Sequence, residues 1–438
     1  MFSRILSVAR VPSAVLLLFV GAPALAQGPS TQAPLTLTLQ DALTRAKANS
    51  VQFQGVLTEM GLARQDNVQA RAALLPSVNY NTSFIYTEGN GTASGVFIAN
   101  NGVHEYLSQG DVHQVVGYSQ FADYGRTRAL EALARAKAEI GARGLVVTVV
   151  GSYYGLISSQ RKYANSQQAA TEAENFLRLS QKLENGGEVA HADVVKAQLQ
   201  NQDRQRDLRE AQLAMEKSRL DLAVLLFPNF NENFTVVDDA QLAPPLMSFE
   251  DFSHAAENRN PQLRAAHAAL QASSYEVSAA KGAYLPTLTL DYFYGIDASH
   301  FATYTDGIRN LGYSATATLS IPIWNWGATR SKVVQADLKR QQAQRELSLA
   351  QRKLLADMRS LYSEAEAARA ELELLKTSAE LAAESLRLTT LRYQAGEATV
   401  LEVVDAQNTL TQAQNGYADG QLRYRTALAN LQTLTGTM

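Results

Sequence analysis

The chain has 438 residues, no cysteine and a formal net charge of −3, from 39 Lys and Arg against 42 Asp and Glu. The missing cysteines exclude a disulfide framework, thiolate chemistry and a lipid-modified N-terminal Cys, and the balanced charge gives no electrostatic case for nucleic acid. Abundant Ala, Leu, Gln, Glu and Arg suit long helices and coiled coils.

Residues 1–26 read as a signal peptide. Arg4 and Arg10 give a positive front, Val11 to Val20 an apolar core, and Ala24-Leu25-Ala26 a small-residue cleavage site. The sequence thus predicts an exported protein, and no later stretch reads as long and apolar enough for a transmembrane helix. Two repeats follow, 27–246 and 247–438. A helical run opens at Leu39 and lasts to Leu75, where Pro76 stops it, because the residue before proline is pushed out of the helical region. The period then changes to two. Val78, Tyr80, Thr82 and Phe84 alternate with Asn79, Asn81, Ser83 and Ile85, which predicts a strand over 77–88. A polar loop from Gly89 to about Asp111 leads to a second predicted strand over 112–121. Its face stays open, since Val115 and Val116 are adjacent.

Helix is predicted to resume near Asp123, to turn at a tip near 187, and to return as Asp193 to Phe227, before Pro228. A connector over 229–248 ends the first repeat. From Phe249 the plan recurs. Leu75-Pro76 corresponds to Leu285-Pro286 at an offset of 210, and such a duplication governs the architecture. Strands are predicted over 286–295 and 312–322, the last the clearest, with Tyr313, Ala315, Ala317, Leu319 and Ile321 on one face. Leu354, Met358, Leu361, Ala365, Ala368 and Leu372 then step by four and three. Beyond a second tip near 396, Val403, Ala406, Leu410, Ala413 and Tyr417 do the same. A sustained 3.5-residue repeat means coiled-coil packing. A helix from Ala328 to Tyr393 would be on the order of 100 Å long, too long for a compact domain.

The two tips echo each other. Gly187 to Gln198 reads GEVAHADVVKAQ and Gly396 to Gln407 reads GEATVLEVVDAQ. In each, a glycine past a periodic run supplies the left-handed conformation that ends a helix. In the second, Thr399 to Glu402 has the form of a capping box. The strands have the length and two-sided alternation of membrane-crossing β-strands. Four cannot close a water-filled barrel, and an open edge in lipid leaves backbone groups unpaired at several kcal/mol each. Strands must come from other copies of the chain, and three copies of four make a pore wider than the side-chain-filled eight-strand case.

These residues resemble the TolC-type outer-membrane efflux channel family. The resemblance is carried by the junctions ALLPSVNY and AYLPTLTL, the exit LSIPIWNWGATRSKVVQAD, and the second tip RYQAGEATVLEVVDAQNTL. It implies a homotrimer with a 12-stranded β-barrel in the outer membrane and an α-barrel of coiled-coil hairpins in the periplasm. Its partners would be a periplasmic adaptor, an inner-membrane pump of RND, ABC or MFS type, and outer-membrane lipid. The chain would be a passive, gated duct of efflux or type I secretion, with no cofactor and no catalytic or metal residue. The family's gate acids fall on Glu402 and Asp405, and its closing pair on Asp193 and Tyr393. A basic partner would fall at Ala398 and is absent. Adaptor docking falls on Gly187, Glu188 and Val189 and on Gly396, Glu397 and Ala398.

Each assignment has a plainer reading beside it. Glu402 caps its helix whether or not it gates, Tyr393 lies on the heptad face, and the tip glycines are C-caps first. Trp324 and Trp326, with Tyr124 in the first repeat, sit where strand becomes helix. They read as a membrane-interface belt or as packing at the joint. His104, His113, His191 and His300 lack metal-ligand spacing, and no phosphate loop or nucleophile elbow occurs. The rival architecture is a periplasmic adaptor or helical scaffold without a channel. Such a protein would need compact β-domains around a single hairpin.

Overall fold

The computed structural model describes residues 35–86, 104–239, 245–299 and 301–436. The signal peptide, most of the first outer loop and His300 lie outside the described residues. In chain order the first repeat comprises β1 (Leu35–Leu37), α1 (Leu39–Asn49), α2 (Val51–Ala72), β2 (Ser77–Tyr86), β3 (His104–Val116), α3 (Tyr118–Asn185), α4 (His191–Leu226) and β4 (Phe234–Val236). The second comprises α5 (Phe249–Arg259), α6 (Pro261–Gly282), β5 (Thr287–Ala298), β6 (Tyr304–Thr305), β7 (Ile308–Arg309), β8 (Leu311–Ser320), α7 (Ala328–Gln394) and α8 (Val400–Thr435).

Several boundaries differ from the sequence reading, each for a local reason. The single helix expected over 39–75 is two. Ser50 leaves the helical region, and its Oγ accepts the Phe53 N–H at 3.3 Å to cap α2. Asn260 does the same before Pro261, accepting the Leu263 N–H at 2.9 Å. The second strand is β3 over 104–116, not 112–121, and helix begins at Tyr118 after an extended Gly117. The segment at 104–111 reads as loop because Ser108 and Gly110 occupy apolar-face positions. In register Gly110 lies between Tyr80 and Tyr294, and Ser108 Oγ meets the Tyr80 hydroxyl at 2.6 Å. The small residues sit among bulky rings. The loop expected from Gly295 to Gly312 instead extends β5 to Ala298. It then forms the hairpin β6–β7 around Asp306 (φ 51°) and Gly307 (φ 81°), as an Asp-Gly turn requires.

The four long strands form one antiparallel sheet in the order β2-β3-β5-β8. Its register settles the face of β3. Tyr106, Ser108, Gly110, Val112, Gln114 and Val116 share the side of Val78, Tyr80 and Phe84 on β2 and of Leu288, Leu290, Tyr292 and Tyr294 on β5. At Gly295, β5 lies close against β3. A Cβ there would collide with the Ser108 carbonyl and the Gln109 backbone.

Below the sheet, α3 and α7 run on as rods of 68 and 67 residues. One stretch of α3 qualifies the sequence reading. It contains an 18-residue window of mean hydropathy 1.4, sufficient by length and composition to cross a bilayer. Within α3, Val149, Val150, Tyr153, Leu156 and Ile157 are buried in the main core with Leu37, Leu222 and Leu226, so one face of this helix is packed inside the protein. The parallel pair β1–β4 closes this core. Tyr153 ties the pair down, its hydroxyl donating to Leu37 O at 3.1 Å and Val237 O at 2.8 Å. Burial, followed by the nearby Asp239 charge, pushes its phenol up to about 12.

The repeats occupy unlike surroundings. α6 packs against both α3 and α7, whereas α2 packs on α3 and has no buried residue. After its first turn α3 exposes no large hydrophobic side chain among the described residues. Its counterpart α7 exposes Val334, Leu338, Leu349, Leu374, Leu381 and Leu388, and α4 exposes Leu199, Leu213 and Val224.

We expect Tyr153→Phe to lower unfolding free energy by about 1 kcal/mol, because the buried hydroxyl's hydrogen bonds to the Leu37 and Val237 carbonyls are lost. Denaturant titration of the purified variant checks this. An unchanged midpoint would deny Tyr153 that role.

Candidate functional site: the helical tips and the sheet–helix joint

Both hairpin tips are built by the same backbone device. At the first, Glu188 N–H donates to Leu183 O at 2.9 Å and Gly187 N–H to Glu184 O at 2.8 Å. At the second, Glu397 N–H donates to Arg392 O at 2.8 Å and Gly396 N–H to Tyr393 O at 3.0 Å. This is the Schellman pattern, and Gly187 and Gly396 share φ 76°. Gly187, Glu188, Gly396 and Glu397 are exposed at the apex. Val189 and Ala398 are half-buried, turned back onto the tip's apolar cluster.

The restarts differ. Ala190 gives α4 no side-chain cap, and His191 Nδ1 instead meets Glu184 Oε1 across the turn at 2.7 Å. Thr399 and Glu402 make the full box. Thr399 N–H donates to Glu402 Oε1 at 3.0 Å, and Glu402 N–H donates to Thr399 Oγ1 at 3.4 Å. The Thr399 backbone and hydroxyl donors, followed by the Arg392 charge, hold the Glu402 carboxyl below its ordinary value. Arg392 also donates to Glu397 O at 3.1 Å and reaches Glu402 Oε2 at 3.4 Å. A basic group therefore does serve this tip, from the end of α7 and not from position 398. Asp405, one turn on, is exposed.

Tyr393 is buried in a cluster drawn from both hairpins. Its ring lies 5.1 Å from that of Phe176, and its hydroxyl is 3.2 Å from Ser180 Oγ. No hydrogen bond joins it to Asp193 among the described residues. Asp193 is half-buried in the first turn of α4. Phe176 and Ser180, four residues apart on one face of α3, went unmarked in the sequence, because nothing local says that α3 meets α7 there.

At the other end, Trp324 and Trp326 are 75% and 89% exposed, their rings 5.8 Å apart and edge-on. Trp326 has φ 54° and Gly327 φ 83°, so the backbone is held in the left-handed region to start α7. A bulky residue there is a true outlier. Tyr124 is half-buried within α3, and the exposed aromatics of that joint are Tyr118 and Phe121. The polar face of the sheet carries Asn79, Asn81, Asp111, His113 and Asp291. Asn81 donates to Asp111 at 2.6 Å, and His113 Nδ1 lies 2.6 Å from Asp291.

The comparisons with known proteins agree with this layout. The family model for outer membrane efflux proteins matches residues 252–437. The outer membrane protein TolC of Vibrio cholerae is 24% identical over 96% of this chain and 95% of its own length. The alkaline protease secretion protein AprF of Pseudomonas aeruginosa is 24% identical over 92% and 85%. Among solved structures, the Campylobacter jejuni CmeC outer membrane channel superposes with a TM-score of 0.79 at 16% identity, covering 91% of this chain and 85% of that one. VceC of Vibrio cholerae gives 0.78 at 17%, covering 91% and 96%.

Thr399→Ala should destabilise the second tip by about 1 kcal/mol, read as faster amide exchange at the start of α8. The contribution of Glu402 is complete above its ordinary value of 4.5 and is lost as pH falls through its lowered folded value. The exchange difference between wild type and Glu402→Ala should therefore close in acid. A difference that persists or widens there contradicts the cap.

Proposed function

We propose that this chain, which belongs to the TolC-type outer membrane efflux protein family, is the outer-membrane duct of an efflux or type I secretion assembly, working as a homotrimer. The observation that carries the reading is the mismatch between repeats. Among the described residues the β2 and β8 edges of the sheet are unpaired, while β3 and β5 pair inside the chain. α6 has long helices on both sides, while the equivalent α2 has one. Placing the next copy so that its β2 meets β8, and its α2 and α4 meet α7, gives every repeat the same surroundings. That operation is head-to-tail, a contact that closes into a ring when its rotation is a whole fraction of a turn. Three copies of a four-stranded sheet make twelve strands, with the aromatic and aliphatic face toward lipid and the Asn–Asp–His face toward water.

In this ring the tips form the periplasmic entrance and Trp324 and Trp326 mark the membrane boundary. Glu402 and Asp405, three residues apart on the same side of α8, give six carboxylates across three copies, and such a ring favours cations. The two acids act unequally. Glu402 is engaged by Thr399 and Arg392, so Asp405 supplies most of the field. Tyr393 holds the two hairpins of one chain together through Phe176 and Ser180, and Asp193 lies beside that seam. A periplasmic adaptor would seat on Gly187–Val189 and Gly396–Ala398 and draw the tips apart. The energy would come from an inner-membrane pump of RND, ABC or MFS type. The adaptor-like alternative fits less well, because two hairpins here flank one amphipathic sheet instead of compact β-domains around one hairpin.

Single-channel recording in planar bilayers tests the gate. Conductance should be small in wild type, rise more for Asp405→Ala than for Glu402→Ala, and rise most in the double variant. Cation preference should fall in the same order. A double variant indistinguishable from wild type would remove the gate from these residues.

A further inference from the structure

Charge is distributed unevenly over the polar face of the sheet. By register that face carries Glu105, Asp111 and His113 on β3 and Asp291 and Asp297 on β5. On β2 and β8 the same face is made of Ser, Asn and Thr with Ile85 and Gly312, and it holds no titratable side chain. None of the four strands contains a lysine or an arginine. β3 and β5 are the inner strands of the order β2-β3-β5-β8, so each has both its neighbours within the chain. Closing the ring at β2 and β8 therefore leaves the strand partners of these five side chains as they stand.

One level of this face is built around a histidine. Asp111 is held by two amides, its carboxylate oxygens accepting from Asn79 at 3.3 Å and from Asn81 at 2.6 Å. Two residues along β3, His113 Nδ1 lies 2.6 Å from Asp291 Oδ1 across the strand pair. An ionised carboxylate only accepts, so the ring proton sits on Nδ1 and Nε2 is the nitrogen that takes a second proton. Histidine is the side chain whose charge ordinarily changes between pH 5 and 8. The charged groups that face His113 are Asp111 from its own strand and Asp291 from β5. β2 turns Ser77 and Asn79 toward it, and Thr316 of β8 pairs with Asp291; none of these is charged. Protonation of the ring thus cancels one of the two carboxylate charges at this level in every copy.

We infer that the β-barrel carries a cation filter of its own, apart from the carboxylates of the periplasmic entrance, and that His113 sets the strength of this filter with pH. The inference rests on the trimeric duct proposed above and adds specificity-determining residues to it. Each copy brings four carboxylates to the water-facing wall, with no fixed cation on the strands to offset them. A lining of one sign between low-dielectric walls concentrates ions of the other sign. Cationic solutes therefore pass the barrel more readily than anionic ones while the His113 ring is neutral, and the difference narrows when it is protonated.

Reversal potentials in planar bilayers under a potassium chloride gradient test this. The full chain carrying Glu402→Ala and Asp405→Ala serves as the reference, because it lacks the entrance carboxylates. Its preference for potassium over chloride should persist at pH 8, and the permeability ratio should fall by roughly twofold at pH 5. Adding His113→Asn should abolish that fall. Adding His113→Lys, a fixed cation, should give the acid ratio already at pH 8. Asp111→Asn with Asp291→Asn should lower the ratio at pH 8 further still. The inference is overturned if the reference channel shows no cation preference at pH 8, or if the His113→Asn channel keeps the same fall in acid. Failure of every variant and of the wild type to conduct would instead refute the duct itself.

Discussion

The unpaired edge of the sheet governs the rest of this molecule. Among the described residues, β2 and β8 each present a row of unpaired backbone donors and acceptors on one side, and the apolar face of the sheet carries Val78, Tyr80, Leu290, Tyr292 and Tyr313. Hydrocarbon cannot satisfy those groups, at several kcal/mol for each one left bare. Closure by further strands is the one arrangement that satisfies the edge and the apolar face together. In the proposed head-to-tail ring, mating β8 with the next β2 would also cover α2, α4 and the outer stripe of α7, so that membrane insertion and helix packing would become one requirement.

Duplication supplies the economy of the design. One plan of short helix, strand pair and long hairpin is used twice, and the two uses differ in detail. The tips keep the same glycine-terminated turn but restart differently, bare at Ala190 and boxed at Thr399–Glu402.

Much of this was legible in the chain. The 3.5-residue repeat, the helix-stopping Pro76 and Pro286, and the glycine-marked tips are local signals, and the helices and turns follow them closely. The sequence pattern places the second strand over 112–121 and misses 104–111, because Ser108 and Gly110 fit beneath rings on neighbouring strands, a reason that lies outside their own segment. The β1–β4 pair joins three-residue segments some 200 positions apart, and no local pattern announces a contact of that kind. The breaks at Ser50 and Asn260 did have a signal, a capping residue inside a helical run, but periodicity continued across it. At the tip, the capping of Glu402 could be read from Thr399, whereas the partners of Tyr393 required α3 and α7 to be brought together.

The mass of the detergent-extracted particle tests the central claim most directly. Light scattering corrected for bound detergent, on protein extracted from outer membranes, should give three chains per particle and no stable monomer. A particle of one chain, or a product recovered from the soluble periplasmic fraction, would contradict the account.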